Sequence, residues 1–258
     1  MNAREIAAKY AKNDEEKQLI SRIAELCNKA FNKDTVCFSN FLTPHEQTLI
    51  GKIKEFRSIA DIDFNGGYAD AERRMAVIKG IGCSIDIKLP IEKLSINYSG
   101  PKLTHRDILG AILGLGIKRE MVGDILCGIE PQIIIVHKQI ADFIILNAKK
   151  AGRANISVEV AESDLDSVQP QKKIINTTVS SLRLDAVIAE GFSIPRSKAV
   201  DAVKLGRVCL NWQEVTSPSK EVKEGDKISL KGMGKIQLSQ IGGKSRKDRT
   251  FITIEKYI

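Results

Sequence analysis

From residue 14 to 32, Leu19, Ile20, Ile23, Leu26, Cys27, Ala30 and Phe31 recur at helical spacing and form one apolar stripe, which predicts a packing helix. Ahead of it, Arg4, Glu5 and Lys9 sit in a helix-forming run without the apolar core of a secretory signal, so export is not expected. Thr43-Pro44-His45-Glu46 combines an N-cap, a proline at the first helical position and a reciprocal glutamate, predicting a second helix toward Phe56 with His45 in its first turn. The β-rich runs Val36 to Phe41, Ile59 to Phe64 and Met75 to Ile78 predict short strands, with Asn65-Gly66-Gly67 as the turn signal between the last two. Residues 1–80 therefore read as a small α/β domain.

The next stretch, 81–163, alternates: strand at Leu94 to Tyr98, helix at Thr104 to Leu115, strands at Gly123 to Cys127 and Gln132 to His137, helix at Lys138 to Lys150, strand at Ile156 to Ala161. That βαββαβ order is the ferredoxin-like arrangement shared with RRM-type RNA binders. An RRM stacks bases on aromatics of its third strand, and here that strand reads Gln132-Ile133-Ile134-Ile135-Val136-His137. Two readings stay open: RNA contact without a stacking platform, or a structural or protein-docking domain. Gly114-Leu115-Gly116 ends a helix, so it reads as a C-cap and not as a nucleotide loop. Residues 164–180 read as a linker, with Asp164 to Lys173 polar, aperiodic and interrupted by Pro170.

Beyond it, 181–258 shows a helix at Ser181 to Glu190 and another at Pro195 to Leu205 stopped by Gly206. A strand into a turn follows over Arg207 to Trp212, then a strand at Lys227 to Leu230. Charge changes the picture here. From Lys172 to the end there are 17 Lys and Arg against 9 Asp and Glu, whereas the first 171 residues hold 23 of each. A surplus confined to one segment implies an anionic partner, most simply nucleic acid. At 258 residues and 43% apolar content the chain supports two or three small cores, and its apolar runs are too short to span a bilayer, so no membrane is expected and the cytoplasm is the default. Five scattered cysteines read as small core residues, and three isolated histidines offer no ligand spacing, so neither metal nor cofactor is expected.

Arg183-Leu184-Asp185, Arg196-Ser197-Lys198-Ala199, Gly206-Arg207-Val208-Cys209-Leu210-Asn211 and Val222-Lys223-Glu224-Gly225-Asp226-Lys227-Ile228 resemble, in order and spacing, the S4 RNA-binding domain. Pro195 stands where many S4 domains have Ser. Upstream, Phe41-Leu42-Thr43-Pro44-His45-Glu46, the run from Asp63 to Arg74, and Gly116-Ile117-Lys118-Arg119-Glu120 are similar to signatures of the YlmH group of bacterial S4 proteins. The fold class is thus α+β: an N-terminal α/β unit, a ferredoxin-like middle domain and a C-terminal S4 domain with further strands. The resemblance implies a non-catalytic factor of ribosome-associated quality control, and a monomer is the plain default. Such a factor binds ribosomal RNA of the large subunit and tRNA, beside a nascent-chain tailing factor, and supports alanine tailing. The resemblance puts Arg183, Arg196, Lys198 and Arg207 on a basic face; Lys204, Asn211 and Trp212 are read as further RNA-binding residues, with Trp212 at a hairpin turn suiting either a stacked base or turn packing. Singly, a lysine such as Lys204 reads equally well as a solvated surface charge. Two rivals remain, an RNA-modifying enzyme and a scaffold tied to cell division. For the first, Asp185 lies within the S4 helix and reads as a local cap or ion-pair partner, not as a catalytic acid.

Overall fold

The computed structural model describes residues 2–83, 87–127, 130–161 and 172–257. The chain forms two compact units, Met1–Gln169 and Pro170–Ile258.

The first unit opens with α1 (Ala3–Tyr10) and α2 (Asp14–Lys33). The side chain of Asn13 caps α2, three carboxylates occupy its first turn, and Asp34 ends it in a left-handed conformation. There follow β1 (Val36–Leu42), α3 (Pro44–Lys52), α4 (Lys54–Arg57), β2 (Ala60–Asn65) and β3 (Arg74–Gly80). The expected capping box forms between Thr43 and Glu46. The helix expected to run to Phe56 instead breaks at Ile53, whose extended backbone lets both Ile53 and Phe56 enter the core. The three strands are antiparallel in the order β1-β3-β2. The link after Asn65 is a loop over 66–73, not a tight turn.

Next come β4 (Ile91–Ser99), α5 (His105–Gly114), β5 (Val122–Leu126), β6 (Gln132–His137), α6 (Ala141–Asn147), β7 (Lys150–Ala151) and β8 (Ala154–Val160). The order β5-β6-β4-β8-β7 is antiparallel throughout and is the ferredoxin-like arrangement with one short strand added. The expected helix over 138–150 is shorter, because its start is a single 3-10 turn and Lys150-Ala151 pairs back onto Ala154-Asn155 through the Gly152 turn. One sheet face packs on α5 and α6 through Leu94, Ile96, Ile108, Ile112, Ile134 and Ile144. The opposite face sets Leu126, Ile133 and Ile135 against Phe41 and Met75 of the preceding segment. Strand β6 is therefore buried on both faces, which is why it reads as an unbroken apolar run.

The second unit contains β9 (Lys172–Val179), α7 (Leu184–Phe192), α8 (Arg196–Lys204), β10 (Val208–Leu210), β11 (Gln213–Glu214), β12 (Lys227–Leu230), β13 (Gly234–Lys244) and β14 (Thr250–Tyr257). Its antiparallel sheet has the order β11-β10-β12-β13-β14-β9. Strand β9 occupies the end of the segment read as linker, whose earlier part, 164–171, lies outside the described residues. Its polar residues Lys172, Asn176 and Thr178 hid a strand that pairs with all of β14 and turns Ile175 and Val179 toward the core. Helix α7 lies on one face of the sheet with α8 against it, around Leu184, Val187, Ile188, Val203, Ile236 and Ile254. It starts three residues later than expected, since Arg183 is still extended and bridges Glu221. The free thiols of Cys27 and Cys37 are buried as expected, while Cys83, Cys127 and Cys209 are half-buried. Burial pushes Cys27 up to about 12 and Cys127 up to about 11, so both stay protonated.

Candidate RNA interface

The second unit's basic residues are organised around one buried carboxylate. At the start of α7 the chain is stitched to the loop ahead of β12: Leu184 N–H donates to Lys220 O, Asp185 N–H to Pro218 O, and Val222 N–H to Leu182 O. This fixes Asp185 at 2% exposure. A carboxylate so placed requires partners, and it has two. Arg183 Nε donates to Oδ1 at 3.0 Å and Nη2 to Oδ2 at 3.4 Å, while Arg196, at the first position of α8, donates Nε to Oδ2 at 2.9 Å. Burial alone would raise this carboxyl, but the hydrogen bonds and charges of Arg196 and Arg183 hold it below its ordinary value. The Arg183 and Arg196 side chains remain 43% and 48% exposed. Two arginines are thus gripped from behind and presented forward, an arrangement suited to phosphate. Asp185 pairs locally, as its position in the helix suggested, and its larger part in aiming both arginines was not evident from sequence.

The remaining expected residues are spread more widely. Lys198, Lys204 and Arg207 are exposed. On α8, Lys198 and Lys204 lie roughly 120° apart around the axis, either side of Asp201. Arg207 follows Gly206, whose positive φ of 66° ends the helix, and its backbone is tied to Ala202 O and Lys231 N–H. Asn211 and Trp212 form the two-residue turn between β10 and β11, both with positive φ, 49° and 63°. The Asn211 amide is engaged in the fold: its oxygen accepts Lys227 N–H at 3.0 Å and its nitrogen donates to Asp226 Oδ1 at 2.8 Å. Lys227 Nζ lies 5.4 Å from the centre of the Trp212 ring.

The three upstream signatures meet inside the first unit. Asp124 of β5 accepts the Tyr68 hydroxyl at 2.9 Å, Glu72 N–H at 2.7 Å and Arg73 N–H at 3.1 Å. Arg73 in turn donates to Val122 O and Phe41 O, and Arg119 to Val122 O and Gly123 O. Burial, with the Arg73 charge beside it, lowers Arg119 to about 10, and burial raises Asp124. The end of the segment Asp63 to Arg74 thus locks the three-stranded sheet to the ferredoxin-like one, while Arg119 braces the start of β5 by sharing the Val122 carbonyl with Arg73. Because β6 is covered, bases cannot stack at Ile133 and Ile135 as they would on an RRM.

Fold and charge together define an S4-domain RNA-binding protein. Family models match in three places: "YlmH, N-terminal" over residues 15–79, "Putative RNA-binding domain in YlmH" over 86–165, and "S4 domain" over 182–228. A curated relative, "Ribosome-associated protein quality control protein P2" of Bacillus subtilis, is 35% identical over 222 residues, which is 84% of this chain and 86% of that protein. The chain belongs to the YlmH family. A solved structure, "Cell division protein ylmH from Streptococcus pneumoniae", is similar at 21% identity with a TM-score of 0.50, over 58% of this chain and 92% of that one, a likeness of fold. Among the described residues no helix is long and apolar enough to cross a membrane.

Proposed function

We propose that this protein is a ribosome-associated RNA-binding factor that anchors on the large subunit through its S4 unit and supports alanine tailing of stalled nascent chains. In this reading it works without catalysis of its own, as a cytoplasmic monomer. The observation that carries the reading is the Asp185-clamped arginine pair on the one segment with surplus positive charge. Arg183 and Arg196 grip phosphate, and Lys198, Lys204 and Arg207 widen the basic face, so affinity comes mostly from backbone charge and selectivity from RNA shape. Asn211 sets the hairpin that carries Trp212. The name of the Bacillus subtilis relative supports the ribosomal setting. The first unit, with its two sheets locked together, extends as one body toward tRNA or a tailing factor.

The test is gradient sedimentation of a lysate with the native chain and a Lys198→Glu/Lys204→Glu/Arg207→Glu variant. These three side chains are exposed, so the variant keeps its fold, whereas reversing Arg183 and Arg196 strands a buried Asp185. Native protein in large-subunit fractions with the variant at the top is expected. Native protein remaining at the top overturns the ribosomal reading, and a variant that sediments unchanged overturns the S4 anchor.

A further inference from the structure

The sheet of the second unit has a second face. Helices cover one side, and the residues alternating outward on the other include Lys172, Ile174, Asn176 and Thr178 of β9, Phe251, Thr253 and Tyr257 of β14, and Lys227 and Lys235 of β12 and β13. Ile174 and Phe251 are 63% and 50% exposed. At one end of this face, cations and aromatic rings interleave. Tyr257 has Lys235 Nζ at 4.1 Å and Lys172 Nζ at 5.2 Å from its ring centre. Lys227 Nζ is 5.8 Å from the same ring and 5.4 Å from that of Trp212, so the two rings flank one ammonium. Toward the other end, about 20 Å along β14, a hollow of about 510 Å³ opens around Phe251, with Asn176, Thr178, Gln240 and Thr253 supplying amides and hydroxyls.

The backbone adds an independent observation. Trp212 has φ 63°, a left-handed conformation that bulky residues rarely adopt and that glycine or asparagine would take without strain. Strain retained at an indole on the rim of an open basic face is the kind that accompanies a contact surface. Among the described residues, Lys172, Lys227 and Lys235 gather around the Tyr257 ring at this end, with Lys172 paired to Glu255. Rings, ammonium groups and side-chain amides on an uncovered sheet are what unpaired nucleotides require: bases stack on the rings and phosphates meet the lysines. A base stacked on a ring gains more than an exposed lysine resting over it, so the ammonium yields the ring and moves to the phosphate.

We infer that the outer face of the C-terminal sheet, from Trp212 and Tyr257 toward Phe251, binds a single-stranded RNA segment, separately from the arginine face at α7 and α8. The inference rests on the RNA-binding reading and extends it: the S4 face takes structured RNA by its phosphates, and the sheet takes bases displaced from a helix. Lys227 and Lys235 supply charge beside the stacked bases.

The chain has one tryptophan, which makes the test direct. Full-length protein is titrated with a twelve-residue oligouridylate while Trp212 emission and the anisotropy of a labelled copy are followed. Native protein should bind with quenching of the indole. Tyr257→Ala and, separately, Lys235→Glu should weaken binding about 5-fold or more, whereas Lys198→Glu/Lys204→Glu/Arg207→Glu should leave the quenching intact. Trp212→Asn, which suits the turn, should fold normally and also bind more weakly. Binding without quenching, unchanged affinity in Tyr257→Ala and Lys235→Glu, or equal competition by polyglutamate would overturn the inference. Native protein that stays at the top of the gradient yet still shows quenching would instead sink the ribosomal reading and leave the sheet site standing.

Discussion

Replacing Asp185 by Asn sets two physical effects against each other. The carboxylate accepts hydrogen bonds from both Arg183 and Arg196. An amide of the same shape keeps one acceptor and turns a donor toward the other arginine. A hydrogen bond to a charged group is worth about 1.5–3 kcal/mol, and both arginine side chains are more than a third exposed. Screening therefore reduces the cost to folding to about 1–2 kcal/mol. For RNA, each arginine that must be ordered on binding costs about 0.5–1.5 kcal/mol, so losing the clamp weakens binding by up to about 3 kcal/mol. Against this, deleting a negative charge some 7 Å behind a phosphate strengthens binding by about 0.6 kcal/mol in water. The positioning term is larger, and the net expectation is a fall of roughly 2-fold to 50-fold. Anisotropy with a labelled ribosomal RNA hairpin at fixed salt measures it, with a thermal melt as the control for folding. If Asp185→Asn folds and binds as tightly as native or more tightly, the arginines act only as diffuse charge and the clamp has no role.

Three further outcomes follow from the same geometry. Because the native Asp185 carboxyl is depressed, its stabilisation is complete above about pH 4 and is lost as pH falls through the native value. Urea midpoints taken from pH 7 down to pH 2 should drop less steeply in Asp185→Asn than in native protein. Tyr68→Phe removes one of three donors to half-buried Asp124 and should destabilise the first unit by about 1–3 kcal/mol, read as a lower melting midpoint; an unchanged midpoint would mean the joint is satisfied without the hydroxyl. Gly191→Ala places a Cβ within 2.4 Å of Ile236 Cδ1, so overpacking should cost about 1–3 kcal/mol. A native-like melt of that variant would show that α7 has room to lift from the sheet.

Most elements were legible because their signals are local. The Thr43 and Glu46 capping box, the strand Gln132 to His137 and the Gly206 helix stop each need only a few neighbouring residues. What escaped depended on distant partners. Strand β9 reads as polar linker until β14, some 80 residues later, supplies its hydrogen bonds and the core takes its alternate side chains. The break at Ile53 reflects competition between helix continuity and burial of two large side chains, which propensity does not weigh. At the site, the types and positions of Arg183 and Arg196 were readable, but that one carboxylate aims both was not, since it depends on the loop 218–222 holding Asp185 out of water. The spacing of Asn211 and Trp212 showed a turn, and only the backbone showed that Asn211 is engaged in the fold while Trp212 is strained.

The two large sheets differ in whether they leave a face exposed, and the reason lies in periodicity. In β6, Ile133 to Val136 are apolar without alternation, so neither face tolerates water, and Phe41 and Met75 cover the side an RRM would leave open. In β14, Ile252 and Ile254 alternate with Phe251, Thr253, Glu255 and Tyr257, so one face must be buried and the other need not be. A face of that second kind is available for stacking if aromatic and cationic residues occupy its outward positions, as Tyr257, Lys172 and Lys235 do here. The sheet whose topology suggests RNA binding is therefore consumed in holding the first unit together. The face inferred to take bases belongs to the sheet built around the S4 helices, on the side away from them. Making Ile133 or Ile135 aromatic would not restore an RRM-type platform, because the ring would enter a filled core and unfold the joint before it met a base.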